Sequence, residues 1–176
     1  MKKLIGIIAI LTIIFIHGCS KQPSSIKAKQ DGKQLIVMYG DFKCPYCKKV
    51  EDKVMPKLRN KYIDKNKVKF QYVILSFIGK DSIIGSKAQQ AVNHYAPKYS
   101  LQFQKLMFEH QKDEDKKWIT HTLIDKQIDK LNISNKTKDK IKTNYKTKNS
   151  TSWKAAEKDK KLGKEHHIKQ TPTVFI

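Results

Sequence analysis

Apolar and polar positions along this chain follow several rhythms, and each predicts a different kind of element. Leu4 to Ile16 is an unbroken apolar run behind Lys2 and Lys3. The next stretch, SKQPSSIKAKQDGKQ, has no hydrophobic period and reads as a flexible tether. Leu35 to Tyr39 is again continuously apolar, but short and rich in β-formers, as expected of a buried central strand that Gly40-Asp41 ends. From Cys44 the spacing becomes three and four: Cys47, Val50, Val54 and Leu58 recur with Lys, Glu and Asp between them, an amphipathic helix. Pro45 stands at its first helical position, where a missing N–H costs nothing. Val68 to Leu75 (VKFQYVIL) alternates and then turns wholly apolar, a second buried strand.

Beyond Gly79 the period stays helical until about His167. Ser82 to Ala96 ends at Pro97, Leu101 to His110 is one apolar-faced segment, and Trp118 to Leu131 repeats Ile119, Leu123, Ile124 and Ile128. A charged stretch follows without a predicted element. Ser150, Thr151 and Ser152 then offer N-caps for a Lys-rich helix from Trp153. The chain closes with IKQTPTVFI, where Thr171-Pro172 precedes a short β-prone run. No internal repeat is visible, and 176 residues suit one domain with an insertion.

Charge adds less than its size promises. Lys and Arg number 37 against 16 Asp and Glu, a formal net charge of +21. Such an excess fits a polyanionic partner, whether nucleic acid, anionic lipid or wall polymer. Arg59 is the only arginine, however, and arginine is the residue suited to bidentate phosphate and base contacts. The excess is therefore read as a solvated basic surface, and no nucleic-acid partner is expected.

The N-terminus sets the compartment. Two lysines, an apolar run of signal-peptide length and Gly18 before Cys19 form an export signal too short for a membrane span. Ile16-His17-Gly18-Cys19 resembles the lipobox of bacterial lipoproteins, with His17 standing where a small residue is usual. That resemblance implies residues 1–18 as a lipoprotein signal peptide, Cys19 as the acylated (palmitate-type) first residue of the mature chain, and 19–34 as a tether. The expected location is the outer face of the cell membrane, held by lipid and basic surface together; the other reading is an uncleaved N-terminal anchor.

With Cys19 assigned, Cys44 and Cys47 remain alone. A bridge across so short a loop constrains little of the unfolded chain, so stapling is a poor reason for it. Zinc would need two more ligands, and His166-His167 are adjacent residues that point apart on a helix; no metal is expected. The remaining chemistry is redox. A thiol at a helix N-terminus meets free N–H groups and about half a positive unit charge, which lowers its pKa and makes a nucleophile and leaving group. Cys44 is placed to attack, Cys47 to lie shielded one turn on and resolve, and Lys43 and Lys48 to add positive potential.

Strand, CPYC opening a helix, second strand, helical block and Thr-Pro before a last strand: the pattern resembles the DsbA-like branch of the thioredoxin superfamily, in its Gram-positive lipoprotein form. It covers Leu35 to Ile176. The implied fold is α/β and thioredoxin-like, with residues 35–78 as its first part, a helical insertion at 79–167, and the cis-Pro strand at 168–176. The resemblance makes Cys44 and Cys47 the catalytic pair, with Pro45 and Tyr46 between them in place of the Pro-His of the best-known oxidase. Pro172 matches the cis-proline lying against the pair. Thr171 matches the residue that tunes it, through a hydroxyl able to donate to a thiolate. Glu51, one turn past Cys47, matches an acid able to relay protons; the competing reading is an ordinary exposed helix carboxylate. The strand Leu35 to Tyr39 contains no acid, unlike thioredoxin's.

The implied activity is extracytoplasmic oxidation of exported, unfolded polypeptides with free thiols, through a reversible Cys44–Cys47 disulfide and no other cofactor. A further electron acceptor must reoxidise the pair. The dimeric isomerases of the family carry an N-terminal dimerisation domain for which there is no space before Leu35, so a monomer is expected. A thiol reductase is the enzymatic alternative; a lipid-anchored basic binding protein is the non-enzymatic one. Because the chain stops at Ile176, the last hairpin strand and closing helix are expected to be missing, and a truncated product that folds poorly or is inactive is a further reading.

Overall fold

The computed structural model describes residues 29–176. The signal segment, the lipobox and Cys19 lie outside the described residues. The first described element falls within the stretch read as tether. Lys29–Gln30 (β1) and Lys33–Gly40 (β2) form a hairpin with Gln30 opposite Lys33. Asp31 and Gly32 turn it with positive φ at both positions (51° and 72°). An Asp-Gly pair is the two-residue loop whose twist matches paired strands, so the signal was present in the sequence.

β2 is the central strand, buried on both faces from Leu35 onward. Lys69–Ile74 (β3) pairs with it in parallel, Met38 opposite Tyr72 and Gly40 opposite Ile74. Thr173–Phe175 (β4) pairs with its other edge, antiparallel, placing Thr173 opposite Tyr39. The C-terminal ends of β2 and β3 and the start of β4 therefore meet at one edge of the sheet.

Helix α1 (Pro45–Lys53) starts there. It is shorter than the apolar spacing predicted. Pro56 enters at the first turn of α2 (Met55–Leu58), and a π-turn, Arg59–Ile63, completes the segment. Proline has no N–H for a continuous ladder, so the chain restarts rather than continues. Val54, expected on the buried face, falls at this break and is half exposed.

The helical block comprises α3 (Ser82–Tyr95), α4 (Ser100–Glu109), α5 (His121–Asp129), α6 (Asn135–Lys146) and α7 (Thr151–Glu165). Three begin at hydroxyl caps, Thr120 on Leu123 N, Ser134 on Thr137 N and Ser150 on Trp153 N. α5 is shorter than predicted because Thr120 caps it after Trp118 and Ile119, which are buried ahead of the helix. α6 lies in the charged stretch where no element was predicted. Its apolar stripe is only Ile141 and Tyr145, both fully buried, on an otherwise polar helix. One turn of spacing is a weak signal until a neighbour supplies the core.

Candidate active site

Cys44 is the N-cap of α1, with extended backbone (φ −72°, ψ 116°). Its sulfur accepts from the backbone N–H of Cys47 at 3.3 Å, so the thiol takes the place of a capping oxygen. The Cys44 thiol donates to the Thr171 carbonyl at 3.3 Å, and the Thr171-Pro172 peptide bond is cis. Thr171 thus meets the sulfur with its backbone carbonyl.

The two sulfurs titrate in opposite directions. Cys44 is drawn down to about 6: the Cys47 thiol hydrogen-bonds it, burial opposes, and the Thr171 side chain and the N–H groups of Cys47 and Tyr46 add to the lowering. Cys47 is pushed far up, because it is the donor to Cys44 and because it is buried. Cys47 has no exposed surface and Cys44 only 2%. Pro45 and Tyr46 between them are exposed, and the Lys49 ammonium lies 4.8 Å from the centre of the Tyr46 ring.

The lysines do not act as predicted. Lys43 is buried and forms an ion pair with Asp81 at 2.9 Å, while its ammonium also donates to the Lys116 carbonyl at 2.8 Å. Lys48 pairs with Asp52 one turn along α1. Each positive charge already has a carboxylate, so the low Cys44 pKa rests on hydrogen bonds instead. Burial alone would raise Asp81, but Lys43 and the N–H groups of Ile119 and Trp118 more than offset it, and its pKa is lowered.

Glu51 is a second correction to the exposed-carboxylate reading. It is 5% exposed and accepts from the Gln104 amide at 2.7 Å. Burial raises its pKa, and the bond from Gln104 only partly offsets this. It also lines an open cleft of about 430 Å³ with Asp52, Pro56, Arg59 and Lys105. Glu51 therefore lies one turn from Cys47 on its inner side and reaches a surface opening on the other.

Three residues at the site carry no sequence signal. Asp41, fully buried, accepts from Lys43 N, Ser82 Oγ, Phe77 N and Ile78 N, tying the loop before Cys44 to the loop after β3. Asp81 ties the same loop, through Lys43, to the backbone of Trp118 and Ile119. Gln111, just past α4, donates its side-chain amide to the carbonyls of Phe42 (2.6 Å) and Cys44 (3.0 Å). Apart from the local bond from Lys43 N to Asp41, each spans dozens of residues, beyond any local pattern. His166 and His167 lie at the far end of α7, where His166 Nδ1 meets the Tyr39 hydroxyl. Among the described residues no group of His, Cys, Asp and Glu could hold a metal, and no helix is long and apolar enough to cross a membrane.

Known proteins resemble this chain in sequence and fold. The thioredoxin family model (Thioredoxin_4) matches residues 26–176. Disulfide bond formation protein D of Bacillus subtilis is 32% identical over 162 residues, covering 89% of this chain and 71% of that protein. A probable disulfide bond formation protein D of Bacillus cereus is 32% identical over 152 residues, covering 84% and 67%. The crystal structure of oxidised BdbD from B. subtilis superposes with a TM-score of 0.70 at 31% identity, over 80% of this chain and 74% of that one. Reduced DsbA1 from Neisseria meningitidis shares the fold at a TM-score of 0.63 and 19% identity, over 85% and 74%.

Proposed function

The chain belongs to the thioredoxin family, among its DsbA-like thiol:disulfide oxidoreductases, and on that premise we propose that Cys44 and Cys47 oxidise the thiols of exported polypeptides outside the cytoplasmic membrane. In the oxidised enzyme a substrate thiolate attacks Cys44 Sγ. The Cys44–Cys47 bond breaks, a mixed disulfide forms, and Cys47 leaves and takes up a proton. A second substrate thiolate attacks the substrate sulfur of that mixed disulfide and expels Cys44 as a thiolate. The substrate gains one disulfide, and the enzyme holds the two electrons as a dithiol.

One observation carries the direction of transfer: Cys44 Sγ caps α1 and accepts from Cys47 N while Cys47 is fully buried, which shifts the two sulfurs in opposite directions. A thiol with a pKa of about 6 is roughly nine-tenths ionised at pH 7, so Cys44 leaves readily and the reduced form is favoured. A pair whose reduced form is stabilised is an oxidant. Cys47 keeps its proton and does not compete as a nucleophile. Glu51, buried with a raised pKa beside a cleft, is suited to carry that proton between Cys47 and solvent. The Thr171 carbonyl, in the cis Thr171-Pro172 peptide, meets Cys44, and backbone there is suited to line the path of a substrate strand.

The anchoring of the mature chain through Cys19, a monomeric state, and reoxidation by a separate electron acceptor are part of the same proposal. They are supported by the likeness of Ile16-His17-Gly18-Cys19 to a lipobox and by the single pair, Cys44 and Cys47, that remains once Cys19 is set aside.

The test is the reduction potential of the pair in glutathione buffers, on soluble protein lacking residues 1–19, with circular dichroism on the same sample. A value at the oxidising end, near −120 mV, is expected. A value near −270 mV would make the protein a reductase. Thiol oxidation and binding that persist in Cys44→Ser would sink the redox reading and favour a basic binding protein.

A further inference from the structure

Two backbone torsions decide whether the Cys44 sulfur can face the N–H groups at the start of α1. One is held locally: Cys44 N donates to the Asp41 carbonyl at 3.1 Å, which limits φ. The other, ψ, turns the Cys44 carbonyl and with it the planar peptide leading to Pro45. That carbonyl accepts from Lys48 N at 3.2 Å, the first bond of the helix. Its other partner comes from 67 positions away, the Gln111 amide at 3.0 Å. The same nitrogen holds the Phe42 carbonyl at 2.6 Å, so one side chain fixes the peptide planes on both sides of the Lys43-Cys44 segment.

Gln111 is also continuous with the helical block. Its own N–H donates to the Phe108 carbonyl at 3.1 Å, closing the end of α4. Phe108 is fully buried and packs edge-on against Phe42, centroids 5.2 Å apart. Backbone, ring contact and amide therefore join α4 to the residue two positions before the nucleophile. Glu51, Thr171 and the helix N-terminus act on the sulfurs; Gln111 acts on the geometry that presents them.

We infer that Gln111 is a positioning residue of the redox centre: by clamping the Phe42 and Cys44 carbonyls it holds Cys44 in the N-cap conformation that stabilises its thiolate, and so makes the pair more oxidising. The inference rests on the redox function proposed above. The exchange it governs is balanced: the enzyme disulfide and two glutathione thiols give the enzyme dithiol and one glutathione disulfide, two electrons and two protons passing to Cys44 and Cys47.

The experiment compares the wild-type chain with Gln111→Met and Gln111→Leu, which keep bulk and lose both donors. The readouts are the Cys44 pKa from thiolate absorbance, and the equilibrium constant with glutathione. A rise of about one pH unit and a roughly tenfold shift toward the disulfide, about 30 mV, are expected. Gln127→Met is the control. Gln127 is more deeply buried than Gln111 and donates to the Leu123 carbonyl on α5, away from the pair, so its loss should lower stability and leave both readouts unmoved.

Folded Gln111 variants within twofold of wild type on both readouts would overturn the inference, as would equal shifts in Gln127→Met. Should the variants not fold, the wild type decides by NMR. The Gln111 side-chain amide protons of the reduced protein should be protected from solvent exchange, and unprotected protons would overturn the clamp. A wild-type Cys44 that titrates as an ordinary thiol would overturn the redox reading itself, a result distinguishable from unchanged variants around a low wild-type pKa.

Discussion

The two faces of the central sheet are covered very differently. On one, Met38, Tyr72 and Ile74 sink into a cluster that takes in Cys44 and Cys47, Ala88, Ala91 and Val92 of α3, Phe103, Met107 and Phe108 of α4, and buried residues of α5 and α6. On the other, Leu35, Val37, Tyr39, Val73 and Leu75 form a small cluster joined by Ile168. Its cover is the end of α7, where Gly163 lies against Leu75 so closely that any Cβ would strike the leucine, and β4, where Phe175 meets Tyr39 edge-on and stays 37% exposed. Both faces use the same strand, whose alternate residues point to opposite sides. The redox pair belongs to the deep face. A thiol gains a shifted pKa only where burial and fixed donors act together, and the helical block supplies both.

The sharpest way to break this comparison is to hollow each face in turn. Phe108→Ala should cost about 3–5 kcal/mol in urea unfolding and also raise the Cys44 pKa, because Phe108 supports Phe42. Leu35→Ala on the thin face should cost about 2 kcal/mol, the low end for such a change, and leave the pair unaffected. Equal losses, or a pKa response to Leu35, would erase the distinction.

The edge of the sheet beside α7 carries a pH dependence of its own. Asp159, on α7, accepts from Ile74 N at the edge of β3 and from the Gln90 amide. Burial pushes its carboxyl up to about 7, against the lowering effect of those donors and of Lys158. The native state therefore holds a proton that the unfolded chain has released. The resulting stability is fully present below about pH 4 and is lost as pH rises toward 7, up to about 4 kcal/mol at roughly 1.4 kcal/mol per unit. Asp159→Asn should flatten urea stability across that window. A slope unchanged from wild type would mean the carboxyl is ionised throughout.

The deep face has the opposite slope in one redox state only. Cys44 is lowered in the folded protein, so its contribution is present above the unfolded thiol value, near pH 9, and is lost as pH falls through about 6. Reduced protein should gain stability over oxidised protein as pH climbs through that window, and Cys44→Ser should abolish the difference. Next in size is Gly163→Ala, which forces a methyl against Leu75 and should cost about 1–3 kcal/mol without moving the reduction potential. Smallest is Glu51→Gln, which keeps shape and removes the proton carrier. Stopped-flow exchange with a peptide thiol should slow by about tenfold, with the potential little changed.

Much of the framework was readable because it is local. The run Leu35 to Tyr39, the helix opened by Pro45, the strand ending at Leu75, the caps at Ser150 and Thr171-Pro172 each state their role within a few residues. α6 was missed because two apolar positions on a Lys-rich segment do not define a face until α3 and α7 supply one. The break at Pro56 was visible as a residue and overridden by the apolar spacing. The Asp31-Gly32 hairpin had its turn signal, but short polar flanks hid the strands beside it.

The sequence alone determined the chemistry: two cysteines three apart at the start of a helix, a buried strand ahead of them and a Thr-Pro far along the chain. Helix polarity and the side-chain period follow from backbone geometry at short range, so those residues carry their meaning wherever they stand. Only the tertiary structure decided how that chemistry is tuned. It neutralised Lys43 with Asp81, buried Glu51 beneath Gln104, turned the Thr171 carbonyl to the thiol and brought Gln111 to the Cys44 carbonyl. Hydrogen bonds and desolvation act over a few ångströms, and residues 38 to 127 positions apart reach that range only when the whole chain is folded.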